Sequence, residues 1–219
     1  MDAQINSKMA FLNNTKAPVH GAFDVIDIGA FSDDSRYKFL MGSVVPRPIA
    51  LVTSLSSDGV LNAAPFSQFT VISVTPPMLG FVVHETSSGE KDTVRNILAS
   101  GEYVINTVAA SMAEQVQACS LRHPADVSEI DEVGFRTLPS EQVAPARIAE
   151  SAMHFECRLH KAVPLGTDGS QITLIIGEII VAHAADGVVS GHRVDHAKLD
   201  PLGRISGRTY CLTQDVIHV

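Results

Sequence analysis

Between Ile49 and Val83 the β-rich segments follow one another so closely that no helix fits between them, unlike the strand–helix alternation of a doubly wound parallel sheet. Ile49-Ala50-Leu51-Val52-Thr53-Ser54-Leu55 is short and β-rich, and Ser56-Ser57-Asp58-Gly59 has the turn chemistry to end it in a hairpin. Phe66 to Val74 is strand-like, Pro76-Pro77 breaks it, and Met78 to Val83 resumes the pattern. Three strands are therefore predicted over residues 49 to 83.

The rest of the chain adds strands and only two helices. Val94, Ile97 and Leu98 have helical spacing, with Asp92 or Thr93 available as the cap and Gly101 as the stop. Tyr103 to Val108 alternates as a strand, and Ser111 can cap a second helix carrying Met112, Val116 and Cys119. Residues 122 to 151, which include Pro124, Pro139 and Pro145, read as a long loop and a candidate lid. Met153 to Leu159 alternates again, Thr167-Asp168-Gly169-Ser170 marks a turn, and Ile172 to Ala182 is a long strand with Gly177 as a bulge. The pattern predicts an antiparallel barrel with inserted helices. No repeat or low-complexity linker divides it, so one domain is expected over residues 37–219, preceded by an arm or edge segment at 1–36.

Composition narrows the function classes. With 45% apolar and 18% charged residues the chain is neither disordered nor a coiled coil. A mean hydropathy of +0.17 leaves apolar surface that a partner subunit could cover. The longest apolar run, Ile172 to Ala185, is interrupted by Glu178 and is too short to span a bilayer. A net charge of −8 disfavours nucleic acid and anionic membranes, so a phosphate ligand needs a local basic site. Three widely spaced cysteines, Cys119, Cys157 and Cys211, without a CxxC pair, suit neither a disulfide framework nor a thiolate metal site. Met1-Asp2-Ala3-Gln4 opens no secretory signal, and a cytoplasmic protein is expected.

Dinucleotide-fold, P-loop, nucleophile-elbow and zinc-helix motifs are all missing from the sequence. His192, Asp195 and His196 would form a metal trio only on a helix, and a solvated turn is the better reading. Ser87-Ser88-Gly89-Glu90-Lys91-Asp92-Thr93 places hydroxyls and a lysine just before a helix start, where free N–H groups and the helix dipole favour an anion. Asn62-Ala63-Ala64-Pro65-Phe66-Ser67 combines small residues, which let a flat ligand approach the backbone, with hydrogen-bonding side chains. In Pro46-Arg47-Pro48-Ile49 the arginine could face a carboxylate or phosphate, or make a structural salt bridge.

Taken in order, these segments resemble the flavin reductase-like family of FMN-binding split barrels, which includes flavoredoxin-type proteins. Pro46 to Ser54 is similar to that family's first strand, and Gly59 with Asn62, Ala63, Pro65, Phe66 and Ser67 to its second. Pro76-Pro77, Lys91-Asp92-Thr93 with Asn96, Glu150-Ser151, Glu156-Cys157, Ile176-Gly177-Glu178 and Leu199-Asp200-Pro201 with Arg204, Gly207 and Tyr210 continue the match to about residue 210. The resemblance implies a mainly β, Greek-key split barrel that binds FMN. By position, Thr53, Ser54, Lys91 and Thr93, with Arg47 and Ser88, would hold the phosphate end, Asn62, Ala63, Ala64, Phe66 and Ser67 would line the isoalloxazine, and Asp92 would be a further cofactor-binding residue. Two departures concern the nucleotide side: Val83-His84 stands where the family often has an arginine, and Arg204-Ile205-Ser206-Gly207 replaces Arg-x-Gly-Gly.

The activity this implies is hydride transfer from NAD(P)H to flavin, with the reduced flavin passing electrons onward and no catalytic side chain required. His123, in the loop, could contact either ring system. The alternatives are an FMN-binding electron carrier or store that another protein reduces, and a plain interaction domain. A homodimer is expected, with the flavin near the subunit boundary.

Overall fold

The computed structural model describes residues 21–84, 91–121, 124, 126–166 and 172–217. The chain divides into two compact units, Met1–Tyr37 and Lys38–Val219. In the described part of the first, Asp27 caps the short turn Ile28–Ala30 by accepting from the Gly29 N–H at 2.9 Å, and Arg36 donates to the Phe31 carbonyl at 2.8 Å.

The second unit is built on strands β1 (Ala50–Leu55), β2 (Leu61–Phe66), β3 (Phe69–Val74), β4 (Pro77–His84), β5 (Glu102–Thr107), the two-residue β6 (Thr137–Leu138) and β7 (Arg147–Ile148), and the long β8 (Met153–Pro164) and β9 (Ile172–Ala184). Seven of them form one antiparallel sheet in the order β2-β1-β5-β8-β9-β4-β3. In a flat sheet β2 and β4, five places apart, would be separated by about 24 Å. The rings of Phe66 on β2 and Phe81 on β4 instead lie 4.9 Å apart. The sheet therefore curls around one interior, while its two ends, β2 and β3, share no ladder among the described residues. This is a split barrel, mainly β and antiparallel.

The interior cluster joins Ala50, Val52, Phe66, Phe81, Tyr103, Ile105, Cys157 and Ile175 to Val94 and Ile97 of the Asp92–Ser100 helix. A second cluster lies on the other side of β1 and β2, where Ile49, Leu51 and Ala63 meet Met112, Val116, Cys119, Ile130 and Phe135. β1 is thus buried on both faces, which is why Ala50-Leu51-Val52 shows no polar alternation and why Thr53 and Ser54, which follow, are buried with their hydroxyls hydrogen-bonded inside the protein.

Several sequence expectations need correction. Residues 49 to 83 hold four strands, not three, because Leu61–Phe66 is a strand of its own and Ser67-Gln68 separates it from β3. Its Asn-Ala-Ala-Pro core has poor strand propensity, and Pro65 is tolerated because β2 is an edge strand with no outer ladder to feed. Lys91, not Asp92 or Thr93, is the cap residue of the Asp92–Ser100 helix, and it supplies no capping side chain. Gly101 ends that helix in the left-handed conformation at φ 73°, as its position predicts. Ser111 lies inside a 3-10 turn, Ala110–Met112, ahead of the Ala113–Ala118 helix. The bulge expected at Gly177 is carried by its neighbours: the β8–β9 register slips at Glu156/Cys157 and at Leu159/Lys161. Gly177 is needed for space, since a Cβ there would stand 1.9 Å from the Tyr103 hydroxyl. The turn at Thr167–Ser170 lies outside the described residues.

The described part of the 122–151 segment is clasped to the sheet and does not have the form of a lid. Ser128 Oγ donates to the Leu61 carbonyl at 2.6 Å, Thr53 Oγ1 to the Ala146 carbonyl at 2.7 Å, and the Ile148 N–H to Asn106 Oδ1 at 2.8 Å. Buried Glu156 accepts from the N–H groups of Glu141 and Gln142, both at 2.7 Å, and from His183 Nε2 at 2.6 Å. Burial alone would raise the Glu156 carboxyl, but these donors outweigh it and hold the group below the usual carboxylate range. His154 beside it is pushed below the ordinary imidazole value, chiefly by burial.

Candidate functional site

The end of β2, the turn after it, the end of β4 and the start of the Asp92–Ser100 helix bring several of the expected residues together. Lys91 Nζ stands 5.7 Å from the centre of the Phe66 ring. Ser67, the next residue, accepts from Arg47 Nε at 3.4 Å, and Gln68 Oε1 lies 2.5 Å from His84 Nε2. Burial, and secondarily the Lys91 charge, hold the His84 imidazole below its ordinary value. His84 is therefore biased toward the neutral form, and Lys91 adds positive charge at this end of the site. Ala64, Pro65, Ser67, Gln68, Lys91 and Asp92 are partly exposed, so a ligand can reach them.

Two features at the helix start suit an anion. The first-turn N–H groups have no side-chain cap from Lys91, and the positive end of the helix dipole adds to the lysine charge. Asp92 turns away along its own helix, pairing with Arg95 at 2.5 Å. An anion here would meet the Lys91 ammonium and backbone N–H groups.

Other expected contact residues point elsewhere. Arg47 is 7% exposed, and its guanidinium donates to the main-chain carbonyls of Met41, of Val44 at 2.7 Å and of Ile205 at 2.9 Å. It fastens the segment leading into β1 to the Ile205 turn. Thr53 and Ser54 are fully buried. The Thr53 hydroxyl serves Ala146, and Ser54 Oγ accepts from Asn96 Nδ2 at 3.2 Å, so neither hydroxyl faces outward. Asn62 is turned inward as well: its Nδ2 donates to both oxygens of Glu129, at 2.8 and 2.9 Å, while its Oδ1 accepts from Thr93 Oγ1 at 3.0 Å. The Ala63 N–H also donates to Glu129, at 3.0 Å. Ser88 and His123 lie outside the described residues.

The sequence reading missed Glu129, Gln68 and His84 as members of this region. Glu129 begins a short helix, Glu129–Val133, within the segment read as a lid, and only its partner 67 positions earlier reveals its role. His84 was legible only as a departure from the family pattern.

Elsewhere, the suspected histidine pair is divided. Asp195 caps the His196–Leu199 helix by accepting from the Ala197 and Lys198 N–H groups, and His192 precedes that cap. The Cys119 and Cys157 thiols are pushed up to about 12, chiefly by burial, which keeps both protonated and unreactive. Among the described residues no helix is long and apolar enough to cross a membrane.

Comparison with known proteins places these features in a family. The model of the flavin reductase like domain matches residues 41–198. Nitrilotriacetate monooxygenase component B from Bacillus cereus is 30% identical, superposes with a TM-score of 0.87, and is matched over 91% of this chain and 100% of its own. The 2-nitrobenzoate 2-nitroreductase NbaA of Pseudomonas fluorescens is 32% identical with a TM-score of 0.82, over 90% of this chain and 95% of its own. A split barrel domain protein from Shewanella frigidimarina, at 21% identity and a TM-score of 0.77 over 88% of this chain and 94% of its own, shares the fold.

Proposed function

This chain belongs to the flavin reductase-like domain family, and from that premise we propose that it is an oxidoreductase that binds FMN against β2 and accepts hydride from NAD(P)H. The observation that carries the reading is the placement of Lys91 Nζ beside Phe66, at a helix start that the Lys91 side chain does not itself cap. The donor set fits a flavin mononucleotide. The Lys91 ammonium and the first-turn N–H groups would hold the phosphate dianion, and the small, partly exposed Ala64 would let a planar ring lie close to the edge strand, Ala63 being buried on that strand's other face. Ser67 and Gln68 offer hydroxyl and amide groups to the ring's polar rim, and Ser88 belongs to the same proposed phosphate end. Thr53, Ser54, Asn62 and Thr93 would contribute by fixing the backbone around the ligand, given that their side chains bond one another or the adjoining loop.

Bound there, the flavin supplies the hydride-accepting chemistry, and the protein's part is to orient it and exclude water. The likeness to a monooxygenase component supports delivery of electrons to a second protein, and the likeness to a nitroreductase supports direct reduction of a small acceptor. The carrier alternative draws on one observation. The Arg204 guanidinium lies 4.5 Å from the Tyr210 ring and donates to Gln117 Oε1 at 3.2 Å and to the Gly207 carbonyl, which occupies a side chain that a pyridine nucleotide phosphate would otherwise recruit. We also propose a homodimer, supported by the exposed Val71 and Val74 on the edge strand β3.

The test is direct. Quenching of FMN and FAD fluorescence ranks the two flavins, and tighter binding of FMN is expected. NAD(P)H oxidation with flavin above the protein-free rate supports the reductase. Tight flavin binding without that oxidation selects the carrier, and no quenching of either flavin removes both.

A further inference from the structure

We propose that Glu129 is a positioning residue that holds the Lys91 helix start in register with β2, and so shapes the flavin site without touching the ligand. The proposal rests on the flavin reading for its functional consequence, but its structural core stands on the contacts themselves. Glu129 is 6% exposed, and each of its three described hydrogen bonds is a donation to its carboxylate: two from Asn62 Nδ2 and one from the Ala63 N–H. A carboxylate is an acceptor only, so it dictates which way the Asn62 amide points. With Nδ2 toward Glu129, Oδ1 must face the other side, where it accepts from Thr93 Oγ1 at 3.0 Å and from Ser54 Oγ at 3.5 Å. Turned the other way, the amide would set an oxygen against the carboxylate and offer an NH2 where hydroxyl protons already point.

Thr93 is the second residue of the Asp92–Ser100 helix and is itself buried. Its bond to Asn62 pins the turn in which the Val94 and Arg95 N–H groups close on the Lys91 carbonyl, at 3.0 and 3.2 Å. Asn96, one turn further on, donates to Ser54 Oγ and braces the same helix to β1. The polar chain thus runs from the Glu129–Val133 helix through β2 to the first turn of the helix that Lys91 opens. In a buried setting such a network is cooperative, and an unmatched member is costly.

The test uses the full chain and two readouts, flavin affinity and amide exchange at Val94 and Arg95 without flavin. Glu129→Gln offers an NH2 group and an amide oxygen where Asn62 needs acceptors. It is expected to weaken FMN binding by about tenfold or more and to speed exchange at both amides. Adding Asn62→Asp restores an acceptor opposite the introduced NH2 group while keeping an oxygen for Thr93, so the double variant should recover both readouts. Should Glu129→Gln fail to fold, Thr93→Val cuts only the last link, leaves the Glu129–Asn62 pairing in place, and should give the faster exchange and weaker binding in a protein that still unfolds cooperatively. Parental exchange and affinity in Glu129→Gln or in Thr93→Val would overturn the proposal, as would a double variant worse than either single one. If the parent binds neither flavin, the flavin reading falls, while the exchange measurements still decide for or against the Glu129 chain.

Discussion

Lys91 Nζ sits 5.7 Å from the centre of the Phe66 ring, joining the two stretches that the sequence offered as separate halves of a site. If the lysine makes a charged hydrogen bond to phosphate, Lys91→Ala should weaken FMN by about 1.5–3 kcal/mol, roughly 10- to 150-fold in Kd. Riboflavin, which has no phosphate, should be affected far less. A fluorescence titration of both ligands checks this, and equal losses for the two would assign Lys91 to the ring instead.

Gly177→Ala should destabilise the protein by about 1–3 kcal/mol, because overpacking forces buried groups off their rotamers. The new Cβ would meet the Tyr103 hydroxyl at 1.9 Å and the Arg158 carbonyl at 3.1 Å. Tyr103 is fully buried and packs edge-on against Phe81 at 5.8 Å, so its ring has little room to retreat. Removing the hydroxyl in a Gly177→Ala/Tyr103→Phe double variant should recover part of the loss in urea denaturation. No recovery would place the strain at the backbone.

The contrast between these two sites shows what a sequence can disclose. β1 was legible because its short β-rich stretch runs straight into the Ser56–Gly59 turn, and Gly101 because a left-handed stop favours glycine. β2 was blurred into its neighbour, since Asn62 to Pro65 suits an edge strand more than it follows strand propensity. The inward turn of Asn62 was illegible for a different reason. It depends on Glu129, which is local to Asn62 only after the chain has folded. The motif therefore picked out residues that the fold does bring together, but not which of their side chains face inward.

Acid should act on the Glu156 clasp. The carboxyl is held below its ordinary value, so the folded state gains from it above the unfolded value of about 4.3, and loses that gain as pH falls through the lower folded value. Glu156→Gln removes the charge from the two loop N–H groups and from His183. It should cost about 1–3 kcal/mol at pH 7 and show a shallower loss of stability than the parent between about pH 5 and pH 2. Denaturant midpoints across that range decide the matter. Parallel curves for the two proteins would mean that another carboxylate sets the acid limb.

The last prediction concerns β3, an edge strand that exposes Val71 at 64% and Val74 at 83%. Edge strands in monomers are ordinarily protected by charge, proline or a covering segment, and an uncharged apolar edge is a template for association. β3 reads Phe-Thr-Val-Ile-Ser-Val, with no charged residue along its length. In the proposed homodimer these valines are covered, so Val71→Asp with Val74→Asp should convert the dimer to monomer in light scattering. Because both side chains point away from the core in the single chain, the monomer's melting transition should remain cooperative. Flavin affinity then separates two arrangements: a loss that accompanies dissociation puts the ligand at the subunit boundary, and unchanged affinity puts the whole site within one chain. A parent protein that is monomeric at all concentrations, with the valines still exposed, would withdraw the dimer.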